Sequence, residues 1–209
     1  MALRTVGIYV YDEVEVLDFA GPFEVFSVAS RVSRRDRPNR PLPFEARLIG
    51  RSWDTVKARA ALPVTPHYAI SDHPKLDVLV VPGGVVDGER KKTDVIDWIR
   101  RQAESRAVVA SVCTGAFLLA EAGLLNDRAA TTHWEDADDL SRDFPALRVV
   151  RDVGWVDEGA VVTSAGISAG IDMALHLVRR LTDAELAALT ARQMEYDWRD
   201  DPGAFQRPA

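Results

Sequence analysis

Ala107-Val108-Val109-Ala110-Ser111-Val112-Cys113-Thr114-Gly115-Ala116-Phe117-Leu118-Leu119 is the stretch whose reading decides the fold. The apolar, β-branched run before Cys113 has the unbroken hydrophobicity of a strand buried in a parallel sheet, and Ala116 to Ala122 are helix formers that end at Gly123. Almost no residues separate the two, so the change of direction falls on Cys113. A side chain in such a turn is pushed out past the carboxyl edge of the sheet, and Thr114 and Gly115 keep the following backbone open to close approach. The layout is that of a nucleophile elbow. At a helix N-terminus the unpaired N–H groups favour the thiolate, so the Cys113 thiol is expected to ionise more readily than a free one. The competing reading, a small buried hydrophobe, describes most free cysteines by residue type. A core cysteine, however, needs neither a strand-to-helix turn nor small neighbours on its C-terminal side.

Upstream, Leu76 to Val81 reads as a second buried strand ending in Pro82-Gly83-Gly84. Two glycines past a strand let N–H groups point into a site, so Gly83 and Gly84 are candidate oxyanion donors. A helix from about Thr93 to Ala103 then returns the chain to the elbow strand, which is the βαβ rhythm of a parallel sheet. Val6 to Val10 is the first strand, and Pro22 suits the first turn of the helix that carries Phe23, Val25, Phe26 and Val28. Between them Asp18 stands among apolar neighbours, where a carboxylate is costly to desolvate without a partner; its plainer role is a helix cap. Phe44 to Ile49 reads as another strand, followed by extended segments broken by Pro63 and Pro66.

Downstream, Ala129 to Trp134 reads as a short strand running into an acidic helix start, with His133 at its end. Val149-Val150 and Val161 to Thr163 flank a turn at Asp157-Glu158-Gly159 and read as a hairpin. Ser164 to Gly170 opens a closely packed helix. Asp172 and His176, four residues apart on it, read as a surface pair, since no third metal ligand is evident. A last helix, Ala184 to Glu195, precedes a polar tail.

With 209 residues, 47% hydrophobic and 28% charged, the chain suits one α/β domain spanning residues 1–209. A net charge of -6 argues against nucleic acid as a partner. Arg31, Arg34, Arg35, Arg37 and Arg40 cluster without interleaved aromatics, which reads as a solvated loop. One cysteine permits no internal disulfide and no Cys/His metal set, and the expectation is a reducing cytoplasm with no cofactor. No targeting segment or membrane span is legible.

Five motifs carry a resemblance: Leu17-Asp18-Phe19-Ala20-Gly21-Pro22, Val81-Pro82-Gly83-Gly84, Ser111-Val112-Cys113-Thr114-Gly115-Ala116, Ala130-Thr131-Thr132-His133-Trp134 and Ser164-Ala165-Gly166-Ile167-Ser168-Ala169-Gly170-Ile171-Asp172. In order and spacing they resemble the DJ-1/PfpI superfamily, and within it isocyanide hydratases. The resemblance implies a flavodoxin-like α/β sandwich, with a mostly parallel central sheet and helices on both faces, and a homodimer. It also implies an elbow cysteine, Cys113, beside an acid, Asp18. Many relatives carry glutamate as the acid and histidine after the cysteine; Asp18 with Thr114 is the hydratase combination and disfavours a protease or amidotransferase. The chain departs from the hydratase pattern at Ala20, where threonine precedes Gly-Pro, and in the arginine-rich stretch 31–40. Similar motifs occur in the sensing halves of AraC-type regulators, but this chain is expected to lack their helix-turn-helix domain.

The implied activity is conversion of a small isocyanide to an N-substituted formamide through a Cys113 thioimidate, with Asp18 moving the proton and Thr114 holding water or Asp18. A carboxyl in an apolar site beside a thiolate is expected to have a raised pKa. His133 is the rival base, since imidazole is the usual partner of a catalytic thiolate. Two other readings remain: action on small reactive carbonyls, and a non-enzymatic ligand or redox sensor in which Cys113 is oxidised.

Overall fold

A computed structural model describes residues 2–35 and 41–204. Eleven strands are described: β1 (Arg4–Val10), β2 (Phe44–Gly50), β3 (Val56–Lys57), β4 (Pro63–Val64), β5 (Tyr68–Ala69), β6 (Val78–Val81), β7 (Val108–Val112), β8 (Ala129–Ala130), β9 (Arg148–Val149), β10 (Trp155–Asp157) and β11 (Val161–Ser164). The α-helices are α1 (Val16–Ser33), α2 (Thr93–Glu104), α3 (Gly115–Glu121), α4 (Ala137–Asp143), α5 (Ala169–Leu181) and α6 (Ala184–Gln193).

Seven strands form one sheet in the order β10-β11-β7-β6-β1-β2-β5. Every pairing in it is parallel except that of β10 with β11. The central strands β6 and β7 are almost wholly buried although their side chains alternate between faces, so both faces are covered. Helices α1, α5 and α6 pack against one another as one layer, and α2 packs with α3 as another. The architecture is the expected α/β sandwich.

Register places the site. Val81 pairs with Ser111 and Val112 with Ser164, so β6, β7 and β11 end side by side. Pro82-Gly83-Gly84, Cys113 and Ala165-Gly166 therefore leave the sheet together, beside the loop after β1. This is where ligands bind in open parallel sheets.

Four expectations need correction. Pro22 lies well inside α1 rather than in its first turn. Lacking an N–H, it removes only the bond that would run to the Asp18 carbonyl one turn earlier. Val149 belongs to β9, parallel to β8, and the hairpin partner of β11 is β10. The turn at Asp157-Glu158-Gly159 does join the hairpin, but its first strand is Trp155–Asp157, where one apolar β-branched residue beside an aromatic is a weak strand signal. Asp172 and His176 are not a surface pair. Asp172 is buried and accepts from the Arg199 N–H at 3.1 Å, whereas His176 Nε2 lies 2.7 Å from Asp157 Oδ2. Of the arginine-rich stretch, Arg31 closes α1 and approaches Glu24, Arg35 bonds Gln193, and Arg37 and Arg40 lie outside the described residues. Among the described residues, no helix is long and apolar enough to cross a membrane.

Candidate active site

Cys113 sits at the turn from β7 to α3 with φ 56°, a left-handed conformation that a non-glycine residue adopts only at a cost of order 1–3 kcal/mol. Its backbone is gripped from two sides. The N–H donates to the Ser164 carbonyl at 3.2 Å, and the carbonyl accepts from the Thr132 hydroxyl at 2.9 Å. Two residues on, only glycine fits, since a Cβ on Gly115 would fall 2.1 Å from the Val81 carbonyl oxygen. A core cysteine would need none of this; Cys113, 7% exposed, occupies a tight strand-to-helix turn.

Asp18 occupies the first turn of α1, whose N-cap is Glu15. The chain crosses the sheet edge here, and Asp18 is delivered fully buried against the turn after β6. Its Oδ2 accepts from the Gly83 N–H at 3.0 Å. Oδ1 has no hydrogen-bond partner of ordinary geometry among the described residues. Burial pushes the carboxyl up to about 7; the Gly83 bond and the Cys113 side chain oppose this, while Glu15 adds to it. The expectation of a raised acid agrees with this geometry.

Thr114 and Gly84 clasp each other. The threonine hydroxyl donates to the Gly84 carbonyl at 3.0 Å and accepts from the Gly84 N–H at 2.9 Å. The N–H groups of Gly83 and Gly84 are thus both engaged, one by the acid and one by the hydroxyl. They orient Asp18 and Thr114 instead of pointing into the cleft, which corrects their reading as an oxyanion pair. Both positions need glycine: a Cβ on Gly83 would fall 2.6 Å from Thr114 Oγ1, and Gly84 has φ +135°.

The expected easily ionised thiol is also corrected. Burial, and then the charge of Asp18, push the Cys113 thiol well above its ordinary value, and the Thr114 N–H and hydroxyl offset this only in part. Helix α3 has seven residues, too short a dipole to outweigh desolvation. Thiol and carboxyl are neighbours that resist carrying two charges at once.

His133 lies at the rim. Its Nδ1 caps the turn Trp134–Asp136, with the Glu135 N–H at 3.4 Å and Asp136 Oδ2 at 3.3 Å. A Cβ placed on Gly166 would fall 2.2 Å from His133 Cδ2 and 3.3 Å from Cys113 Sγ, so the imidazole and the sulfur face the same glycine. Gly166 and Ile167 were legible only as a run of small residues opening a helix. Glu15, Arg59, Glu135 and Asp136 carried no sequence signal for the site: Glu15 comes with the N-cap of α1, Arg59 with the short β3–β4 ribbon, and Glu135 and Asp136 with a surface turn. With Cys113, Thr114, Gly84, His133 and Ile167 they line a cavity of about 330 Å³, a size suited to a small molecule. Among the described residues, no group of three or more His, Cys, Asp or Glu is placed to hold a metal ion.

The family model for the DJ-1/PfpI family matches residues 4–180. The chain belongs to that family. Among curated DJ-1/PfpI relatives it is 35% identical over 201 residues to the isonitrile hydratase of Pseudomonas putida, covering 94% of this chain and 79% of the relative. It is also 26% identical to the HTH-type transcriptional regulator GbdR of Pseudomonas aeruginosa, covering 93% of this chain and spanning about half (51%) of the regulator. Among solved structures, a THiJ/PfpI family protein from Pseudomonas syringae matches with TM-score 0.80 and 28% identity, covering 97% of this chain and 78% of that one.

Proposed function

We propose that this DJ-1/PfpI protein hydrates isocyanides to N-substituted formamides through a thioimidate on Cys113. The observation that carries the reading is Asp18: a buried carboxyl held beside the elbow thiol, with one oxygen bonded to the Gly83 N–H and the whole group poised near 7. An acid of that strength gives and takes protons at neutral pH about equally well, and hydration needs both. The Cys113 proton passes to Asp18, the sulfur adds to the isocyanide carbon, and Asp18 returns the proton to that carbon to give the thioimidate. Water then adds to the same carbon, Asp18 accepts its proton and delivers it to nitrogen, and collapse expels the Cys113 sulfur as the carbonyl forms, with the hydroxyl proton passing through Asp18 to that sulfur. Isocyanide plus water gives formamide, with the thiol and carboxyl restored. Thr114, fixed by Gly84, orients the attacking water. The thiol's high pKa favours a concerted transfer through Asp18 over a standing thiolate. The similarity to isonitrile hydratase supports this chemistry. We take the protein to act as a homodimer in the cytoplasm, on a small molecule and not on nucleic acid or membrane.

The match to GbdR over most of the chain favours a second reading, in which the same cavity binds a ligand as a sensor. Wild-type protein supplied separately with an aryl isocyanide and a small 2-oxoaldehyde distinguishes the cases. Many turnovers to formamide support hydration; turnover of the aldehyde alone supports carbonyl chemistry; binding or single-event modification without turnover supports the sensor.

A further inference from the structure

The cleft over Cys113 carries carboxylates that its cations do not balance. Glu15, Glu135 and Asp136 line it against Arg59. Past Gly84, Thr114 and Asp136 it continues into a second cavity of about 330 Å³ that adds Asp87, Asp139 and Asp143 against Arg90 and Arg142. These cations are already engaged. Arg59 Nη1 lies 3.4 Å from Glu13 Oε2 and its Nε 3.8 Å from Glu15 Oε2. Arg90 donates to Glu121 at 2.9 Å and Asp143 at 3.1 Å, with its guanidinium over the rings of Phe117 and Phe144. Arg142 donates to Asp139 at 2.6 Å. Among the described residues, the ion-pair partner of Glu135 and Asp136 is His133, at 3.8 and 3.3 Å.

Two further observations place this charge at the reacting atom. Asp136, with Asp18, contributes to holding the Cys113 thiol up, so its field reaches the sulfur. Asp18, fully buried, has no hydrogen bond of ordinary geometry to Oδ1 among the described residues, and its side chain lies against that of Cys113. An entering anion would meet several like charges in a partly desolvated cleft, whereas a cation would find partners not already taken.

We infer that the cleft selects by charge: it takes molecules whose group beyond the reacting atom is cationic or uncharged, in that order, and excludes those bearing carboxylate, sulfonate or phosphate. Combined with the reaction proposed above, and resting on it for this clause alone, the substrate class is isocyanides with an ammonium or uncharged substituent.

The test uses Cys113 labelling, which needs no turnover. Methanethiosulfonates carrying trimethylammonium or sulfonate groups are attacked by the cysteine sulfur, which forms a mixed disulfide, releases methanesulfinate and loses its proton to solvent. The cation-to-anion rate ratio is normalised to that of 2-mercaptoethanol at the same pH, with intact mass confirming one label. The expected ratio exceeds about tenfold at about 10 mM salt, shrinks at about 0.5 M, and falls in the Glu135→Gln/Asp136→Asn double variant. A normalised ratio of one or below, a ratio indifferent to both salt and the double variant, or no labelling by either reagent overturns the inference. Absence of formamide in the turnover assay would overturn the hydratase reading and leave this result standing.

Discussion

Asp18→Asn is expected to make the protein more stable, and only above a certain pH. The folded-state carboxyl titrates at about 7 against an ordinary value of 3.8, so the native chain binds this proton more tightly than the unfolded one. Stability from that proton is fully present below the ordinary value and is lost as pH rises towards 7. Three pH units correspond to about 4 kcal/mol, an upper bound because an asparagine amide must also be accommodated beside the Gly83 N–H. Half of that remains a reasonable expectation, and for a domain of this length about 2 kcal/mol corresponds to a rise of roughly 4–8 °C in Tm. Thermal unfolding of wild type and Asp18→Asn at pH 8 and pH 4.5 is the assay. The variant should unfold clearly higher at pH 8, with the gap nearly closed at pH 4.5. A wild type equal to or more stable than the variant at pH 8, or a gap of the same size at both, would refute the buried, desolvated carboxylate.

Three other outcomes follow from the same geometry. The alkylation midpoint of Cys113 should lie above the free-thiol value of about 8.5 and drop in Asp18→Asn, because a neighbouring charge is gone; an unchanged midpoint contradicts the coupling. Thr114→Val should lower kcat at least about tenfold and cost roughly 1–3 kcal/mol of stability, since it strands the Gly84 N–H and carbonyl; Thr114→Ser should restore both, and an active, stable valine variant would refute the clasp. Sedimentation at micromolar concentration should give a dimer, and a clean 23.1 kDa species would refute it.

How far the site could be read from the sequence depended on how local each signal was. The elbow was legible because β-branched residues, a turn of no length and a run of helix formers are adjacent, and the parallel sheet followed from the same alternation. Asp18 was legible as an anomaly, a carboxylate among apolar neighbours. What Gly83 and Gly84 do was not, because the destination of each N–H depends on the packing of α1, which brings Asp18, and on the elbow before α3, which brings Thr114. The direction of the thiol shift is illegible for the same reason: a helix start is a local feature, while the burial of Cys113 and its closeness to Asp18 are tertiary. The partners of Asp172 and His176 lie 27 and 19 residues away, beyond the reach of an i,i+4 rule. Arg59, Glu135 and Asp136 enter the cleft only through the docking of a ribbon and a surface turn.

The central claim is that Asp18 shuttles the proton for a Cys113 adduct, and formamide release from a simple aryl isocyanide tests it most directly. Wild type should produce formamide, while Asp18→Asn and Cys113→Ala should each fall by more than about a hundredfold, the scale of general acid–base catalysis. Cys113 should remain open to alkylation in Asp18→Asn, showing that the thiol and the fold survive. Full activity in Asp18→Asn would contradict the account and move the proton to His133 or solvent, and no formamide from the wild type would end the hydratase reading altogether.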